Sequence, residues 1–411
     1  MSQTYENHYN QLLQILRDNR RCWEQEILNS YPQSITTLPK QWLESMASLS
    51  RHDLWMVDSK QDFSSIHHSP MRECFEQLER LTQINAKEIP PAHEYNIADA
   101  YFGVRGKKRH EIETLAPVLK ILKDTKKINK VVDIGGGQGH LGRVISKHFG
   151  IPTLSVDRDP HLLALGHKNV ARLQHRTLPD GAASMEFLEF TLNQELSPAC
   201  FDKDALVLGL HTCGDLACHL IHHATQAQCQ GMLSFGCCYS KMELDKDGYA
   251  IHGPSELKLD QHTLTLATRG HRSNSRKAFD LKLQVKRHRY SLHLFHYHQR
   301  GVERFFPMGE TVPREYIGPF SEYAKHRLEA YNIQATSEEL DEFYELDWVK
   351  EKFETMLMAN LIRWQFGRAL ELVILIDRCR KLEKQGYQVE LASYFDELKS
   401  PRNLGILALK K

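Results

Sequence analysis

At 411 residues the chain is two to three domain lengths of about 150 residues each, which excludes a single small module. Hydrophobic residues at 41% and charged residues at 26% lie in the ordinary globular range and exclude a collagen-like, coiled-coil or wholly disordered chain. Lys and Arg number 53 against 52 Asp and Glu, a formal net charge of +1, so any site for a polyanion must be local.

The longest apolar runs, such as Val373-Ile374-Leu375-Ile376, fall far short of the roughly 20 residues that span a bilayer. The first twenty residues, with Glu6, Asn7, Gln11 and Asp18, show neither a basic stretch leading into an apolar run nor a small-residue cleavage site. The expectation is a soluble, cytoplasmic protein with no membrane association. Nine cysteines, an odd number without short regular spacing, fit reduced thiols better than a disulfide framework.

Residues 1–99 read as a helical cap: Leu12, Leu13 and Leu16 recur at helical offsets, and Pro32, Pro39, Pro70, Pro90 and Pro91 punctuate. Leu115, Val118, Leu119 and Leu122 then mark one face of a helix that leads into Val131-Val132-Asp133-Ile134, a short strand. That strand breaks into Gly135-Gly136-Gly137-Gln138-Gly139, after which Leu141, Val144 and Ile145 resume helical spacing. Further strands are expected at 153–157, 185–190, 205–210 and 232–235, so residues 100–240 hold strands one to five of a parallel, doubly wound sheet.

Residues 241–385 lose the alternation and read as a largely helical insertion. Within it, 281–297 shows period-two alternation rich in Tyr, His and Arg, which leaves helix and strand equally open. A long helix is expected from Phe353 to about Lys384, closed by Gly386. Residues 386–411 supply two more strands, completing a seven-stranded α/β sheet.

The glycine run between strand and helix admits two ligands. Gly137-x-Gly139-x-x-Gly142 matches a dinucleotide fingerprint, with Asp157 near the distance for a ribose hydroxyl. Asp133-x-Gly135-x-Gly137-x-Gly139 is similar to the arrangement with which class I methyltransferases hold S-adenosylmethionine, and the joint occurrence of Asp133, the glycines and Asp157 favours this reading. His140, Leu141 and Arg158 adjoin these positions and join the expected cofactor set.

Ligands of open α/β sheets bind beyond the carboxyl ends of the strands. That rule selects His211-Thr212-Cys213-Gly214-Asp215 and Gly236-Cys237-Cys238-Tyr239. With Lys107-Lys108-x-His110-Glu111, Gly139-His140-Leu141, the closing Ser400-Pro401-Arg402-Asn403 and the same order along the chain, these segments resemble the methyltransferase-like protein 25 family. Ser240 stands where that family often has a histidine. The resemblance runs from about residue 100 to the C-terminus. It implies a doubly wound, Rossmann-like class I methyltransferase fold, S-adenosyl-L-methionine as cofactor, and direct in-line methyl transfer to nitrogen or oxygen. A similar His-x-Cys-Gly and Cys-Cys pairing in eukaryotic tRNA 2′-O-methyltransferases leans the substrate towards RNA; a protein substrate, or a non-catalytic RNA-binding module, are the alternatives.

Lys108 or His110 is expected near the methionine end of the cofactor, and His211, Cys237, Cys238 and Tyr239 on the acceptor side. His211 reads as a general base or a positioned hydrogen-bond donor. For His211, Cys213, Cys218, Cys237 and Cys238 three readings stand open: zinc ligation, a thiolate nucleophile, and plain pocket walls. No Cys-x-x-Cys spacing is present, so no metal is expected; no cation is identifiable beside Cys237 or Cys238, which favours direct attack. Two basic segments are candidate RNA-facing surface. Residues 105–130 carry nine Lys or Arg against three acids, and 269–289 carry eight against one, with Phe279, His288 and Tyr290 placed to stack on bases.

Overall fold

The computed structural model describes residues 2–89, 101, 103–173, 181–193, 201–244, 256–269, 272–303, 305 and 312–411. They form two compact units, one of residues 1–11, 83–268 and 371–411 and one of residues 12–82 and 269–370.

The first unit is built on a seven-stranded sheet of β1 (Lys130–Ile134), β2 (Thr153–Asp157), β3 (Met185–Glu189), β4 (Ala205–Cys213), β5 (Gly231–Cys237), β6 (Tyr387–Ser393) and β7 (Leu404–Lys410). Their order is β3-β2-β1-β4-β5-β7-β6; β1 to β5 are parallel, and β7 runs antiparallel between β5 and β6. The order reverses between β1 and β4, the switch point at which α/β sheets open a crevice for ligand. Strands β1, β4 and β5 read as nearly unbroken apolar runs because helices cover both faces. Alternate residues Leu206, Leu208, Leu210, Leu233 and Phe235 share a core with the Gly106–Thr125 and His140–Phe149 helices. This is the doubly wound class I methyltransferase sheet that the sequence led us to expect.

The chain's first residues belong with this sheet: the Leu391 N–H donates to the Tyr5 hydroxyl at 2.8 Å, and the Lys87 N–H to the Ser393 carbonyl at 2.7 Å. Residues 12–82 of the expected N-terminal cap and 269–370 of the expected insertion form one body, the second unit. Its helices are tied by Lys282 Nζ to both Asp58 oxygens at 2.9 Å and by Arg363 Nε to the Trp23 carbonyl at 2.9 Å.

Two expectations need correction and one open reading closes. Residues 281–297, where helix and strand stood equally open, lie in a helix, Arg276–Gln299, in which Tyr290 to His296 are all buried, so no amphipathic period survives there. The expected helix from Phe353 to Lys384 is two helices, Asp347–Trp364 and Gly367–Lys384, interrupted at Gln365-Phe366. Strand β4 does not end at Leu210 but continues through Cys213. No helix among the described residues is long and apolar enough to cross a membrane.

Candidate active site

At the end of β1, Gly135, Gly137 and Gly139 all take positive φ, +71°, +55° and +63°. The Asp157 carboxylate at the end of β2 fixes the loop, its Oδ2 accepting from the Gly137 N–H at 2.9 Å and its Oδ1 from the Asp159 N–H at 3.0 Å. At Gly137 an added Cβ would meet only ordinary contacts, 3.6 Å to Leu162 Cδ1 and 3.8 Å to Asp157 Oδ2, so a side chain is opposed by the backbone conformation rather than by crowding. Gly139 is different: a Cβ there would collide with the Met185 methyl and lie 2.8 Å from the Phe187 ring, so hydrogen is needed for the His140–Phe149 helix to approach β3.

Below the loop lies Asp133, only 3% exposed. Burial, partly offset by Lys108 and reinforced by Asp157, pushes its carboxyl up to about 6. Lys108 thus acts electrostatically on the loop, while His110 Nε2 accepts from the Asp396 N–H at 3.2 Å and its ring meets Phe395 edge-on. His140 is held well below ordinary histidine, at about 4, by burial and by Arg143 and Lys108, so it is a neutral ring at the start of its helix. Leu141 is buried in the core, and Arg158 is exposed.

The acceptor side centres on His211. Register between β4 and β5 slips at this residue: Leu210 pairs with Phe235 and Thr212 with Gly236, leaving His211 as a bulge at φ +63°. Left-handed backbone costs a non-glycine residue roughly 1–2 kcal/mol, and here that conformation accompanies a hydrogen bond of 2.6 Å from the ring Nε2 to Glu111 Oε1. Glu111, 1% exposed, also accepts from the Ser400 hydroxyl at 2.8 Å and lies 3.4 Å from Lys107 Nζ. Burial raises its carboxyl, but the His211, Ser400 and Lys107 contacts outweigh that and hold it at about 2. An ionised carboxylate only accepts, so His211 carries a proton on Nε2, which leaves Nδ1 as the nitrogen that can exchange a proton with a substrate. Neither Glu111 nor Ser400 was assigned to the site from sequence, although both stand in the Lys-Lys-x-His-Glu and Ser-Pro-Arg-Asn segments.

Cys213, Cys237 and Cys238 come together. Cys213 is the register partner of Cys237, their sulfurs lie 3.4 Å apart, and all three sulfurs fall within 4.8 Å of one another. Hydrogen bonding from Cys237, against burial and aided by Cys238, Lys241 and His211, pulls the Cys213 thiol down, while Cys237 is pushed up. Lys241 is thus a cation beside the cluster that spacing along the sequence did not reveal. Cys218 is elsewhere, 3.4 Å from Arg378 Nη2. Tyr239 turns into the core, its hydroxyl donating towards the Gly236 carbonyl at 3.2 Å and Glu371 Oε1 at 3.3 Å.

The basic segments divide. In the second unit Phe279, His288 and Tyr290 are at most 1% exposed, so they pack the interior rather than await bases. Lys282 pairs with Asp58 and lies 3.6 Å from the Trp364 ring centroid, and Arg287 pairs with Glu354 at 2.6 Å. In the first unit Lys107, Arg109, Lys120 and Lys130 pair with acids, whereas Lys126 and Lys127 are exposed and make no ion pair among the described residues.

Residues 107–245 match the family model described as a methyltransferase domain. Among solved structures the chain is similar to a SAM dependent methyltransferase from Aquifex aeolicus, at 17% identity over 28% of this chain and 62% of that one, with a TM-score of 0.22. It is also similar to magnesium protoporphyrin IX methyltransferase from Synechocystis PCC 6803 with bound SAH, at 14% identity over 30% of this chain and 54% of that one, TM-score 0.23. A third is the methyltransferase domain of bacterial-CtHen1-CN, at 12% identity over 72% of this chain and 96% of that one, TM-score 0.28. The chain spans less than two thirds of the first two proteins. Asp133, the positive-φ glycines and Asp157 form a loop whose Gly135 and Gly136 N–H groups donate to the Val156 carbonyl and whose Gly137 N–H donates to Asp157, which holds the turn at the end of β1. Residues 107–245 thus match a methyltransferase domain and carry it on a doubly wound, seven-stranded sheet.

Proposed function

We propose that the protein is an S-adenosylmethionine-dependent methyltransferase of the methyltransferase-like protein 25 type that methylates a nitrogen or oxygen of RNA. The observation that carries this reading is the His211–Glu111 hydrogen bond at 2.6 Å, at a bulge beyond the switch point of the sheet. S-adenosylmethionine, when bound, supplies a methyl group on an electrophilic sulfonium. Gly135, Gly137 and Asp157 would hold it along the loop, with Lys108 placed to meet its carboxylate. His211 Nδ1 takes the proton from the attacking nitrogen or hydroxyl, and Glu111, kept ionised by Ser400 and Lys107, fixes the ring's tautomer and stabilises the imidazolium. RNA is favoured over protein by the segments shared with the family; the exposed Lys126 and Lys127 lie at the amino end of β1, opposite the crevice, and do not bear on the choice.

The test is a mass-spectrometric comparison of modified nucleosides and modified peptides from cells with and without the protein. A methylated nucleoside lost on deletion, with peptides unchanged, is expected. A lost methylated peptide with no change among nucleosides would reassign the substrate.

A further inference from the structure

Consecutive residues of a strand point to opposite faces, so Cys237 and Cys238 should not be able to present both thiols to one point. They do so because Cys238 leaves the strand in the left-handed region, at φ +50°, folding the chain back into the 3-10 turn Tyr239–Lys241. On the neighbouring strand the bulge at His211 sets the register in which Cys213 lies opposite Cys237. Both non-glycine residues of this cleft with positive φ therefore adjoin the same three sulfurs.

The sulfurs have the spacing of a metal cage. Zinc binds thiolate at about 2.3 Å in a tetrahedron, which sets its sulfurs about 3.8 Å apart; the observed 3.4 Å between Cys213 and Cys237, and the 4.8 Å bound on all three, bracket that edge. Cys237 is buried while Cys213 and Cys238 are half-buried, so the cluster has a solvent side for an ion to enter. Three thiolates and one divalent cation carry a net charge of −1, which the neighbouring Lys241 ammonium opposes. His211 is not a fourth ligand in this arrangement, since neither of its ring nitrogens falls within 4.8 Å of all three sulfurs.

We propose that Cys213, Cys237 and Cys238 form a three-thiolate site for a soft divalent metal ion, zinc foremost, whose fourth position is left to water or an incoming ligand. No Cys-x-x-Cys spacing signals it, because the convergence is made by two backbone irregularities on adjacent strands. An open fourth position is the mark of a zinc site that can exchange ligand rather than one that only braces the fold.

The experiment uses the full chain, reduced and stripped of metal under anaerobic conditions, then titrated with Co²⁺ and with Zn²⁺. One Co²⁺ per chain is expected, with thiolate-to-cobalt charge-transfer bands of three-sulfur intensity that Zn²⁺ displaces. Cys238→Ser should reduce that intensity by one third, and Cys218→Ala should leave it unchanged. Calorimetric binding of S-adenosylmethionine to the variants shows that they are folded. Should a cysteine variant not fold, alkylation of the wild-type chain decides: bound Zn²⁺ should protect Cys213, Cys237 and Cys238, mapped by peptide mass spectrometry, and no other cysteine. Absence of the charge-transfer bands, or an alkylation pattern and a rate of Cys213–Cys237 disulfide formation that Zn²⁺ does not alter, would overturn the proposal and leave the pair as a thiol couple.

Discussion

Two buried carboxylates sit within the same domain, and their environments drive them in opposite directions. Asp133 is raised from 3.8 to about 6 by burial, so its contribution to stability is fully present below about pH 4 and is lost as pH rises through 6. Glu111 is lowered from 4.5 to about 2, so its contribution is present above 4.5 and is lost as pH falls through 2. Urea denaturation at a series of pH values should therefore show Asp133→Asn gaining on the wild type from pH 4 to 7. It should show Glu111→Gln losing up to about 3 kcal/mol at pH 7, by the cost of roughly 1.4 kcal/mol per pH unit, and recovering in acid. Differences that stay constant with pH would refute both assignments. At the glycine loop, Gly137→Val should weaken S-adenosylmethionine binding by about tenfold or more, since one left-handed residue costs a β-branched side chain at least the roughly 1.4 kcal/mol that a factor of ten represents. Calorimetry on a variant of native circular dichroism checks this, and unchanged affinity would count against the loop as the cofactor's seat.

At the scale of elements, β7 lies between β5 and β6, so the last residues of the chain are interior to the sheet. Truncation after Phe395 removes β7 and with it the antiparallel partners of Gly231 to Ser234. It should yield insoluble protein without a cooperative transition, whereas a soluble truncation that binds cofactor would show that five strands suffice. The strands were legible because short apolar runs bounded by glycine and polar residues leave few alternatives. Gly386, at φ +86°, ends its helix where a glycine stop was expected. What escaped reading was set by tertiary burial. The helix Arg276–Gln299 buries Ser291 through His296 consecutively, and that erases the period which distinguishes helix from strand. The bulge at His211 has no composition signal at all, since it depends on pairing with β5, and so the continuation of β4 through Cys213 was not visible. Glu111 looked like one charge among many on a helix, and only folding brings it to His211, 100 residues away.

For the whole molecule, nearly balanced charge hid a division between the two units. Arg276, Lys282 and Arg287 of the Arg276–Gln299 helix pair with Asp280, Asp58 and Glu354 within the second unit, while Lys277 of that helix is exposed, as are Lys126 and Lys127 of the first unit. An RNA partner is expected to depend on the first unit, which holds the glycine loop and His211, while Phe279 and Tyr290 of the second unit serve its own core. The central claim is methyl transfer from S-adenosylmethionine to RNA with His211 as proton acceptor. It is tested most directly by incubating the full chain, and His211→Ala, with methyl-labelled S-adenosylmethionine and RNA from cells lacking the protein. The account predicts label in RNA with the wild type, a loss of turnover of about a hundredfold or more in His211→Ala, and equal cofactor affinity in the two. Full transfer by His211→Ala, or label that appears in protein and never in RNA, would contradict it.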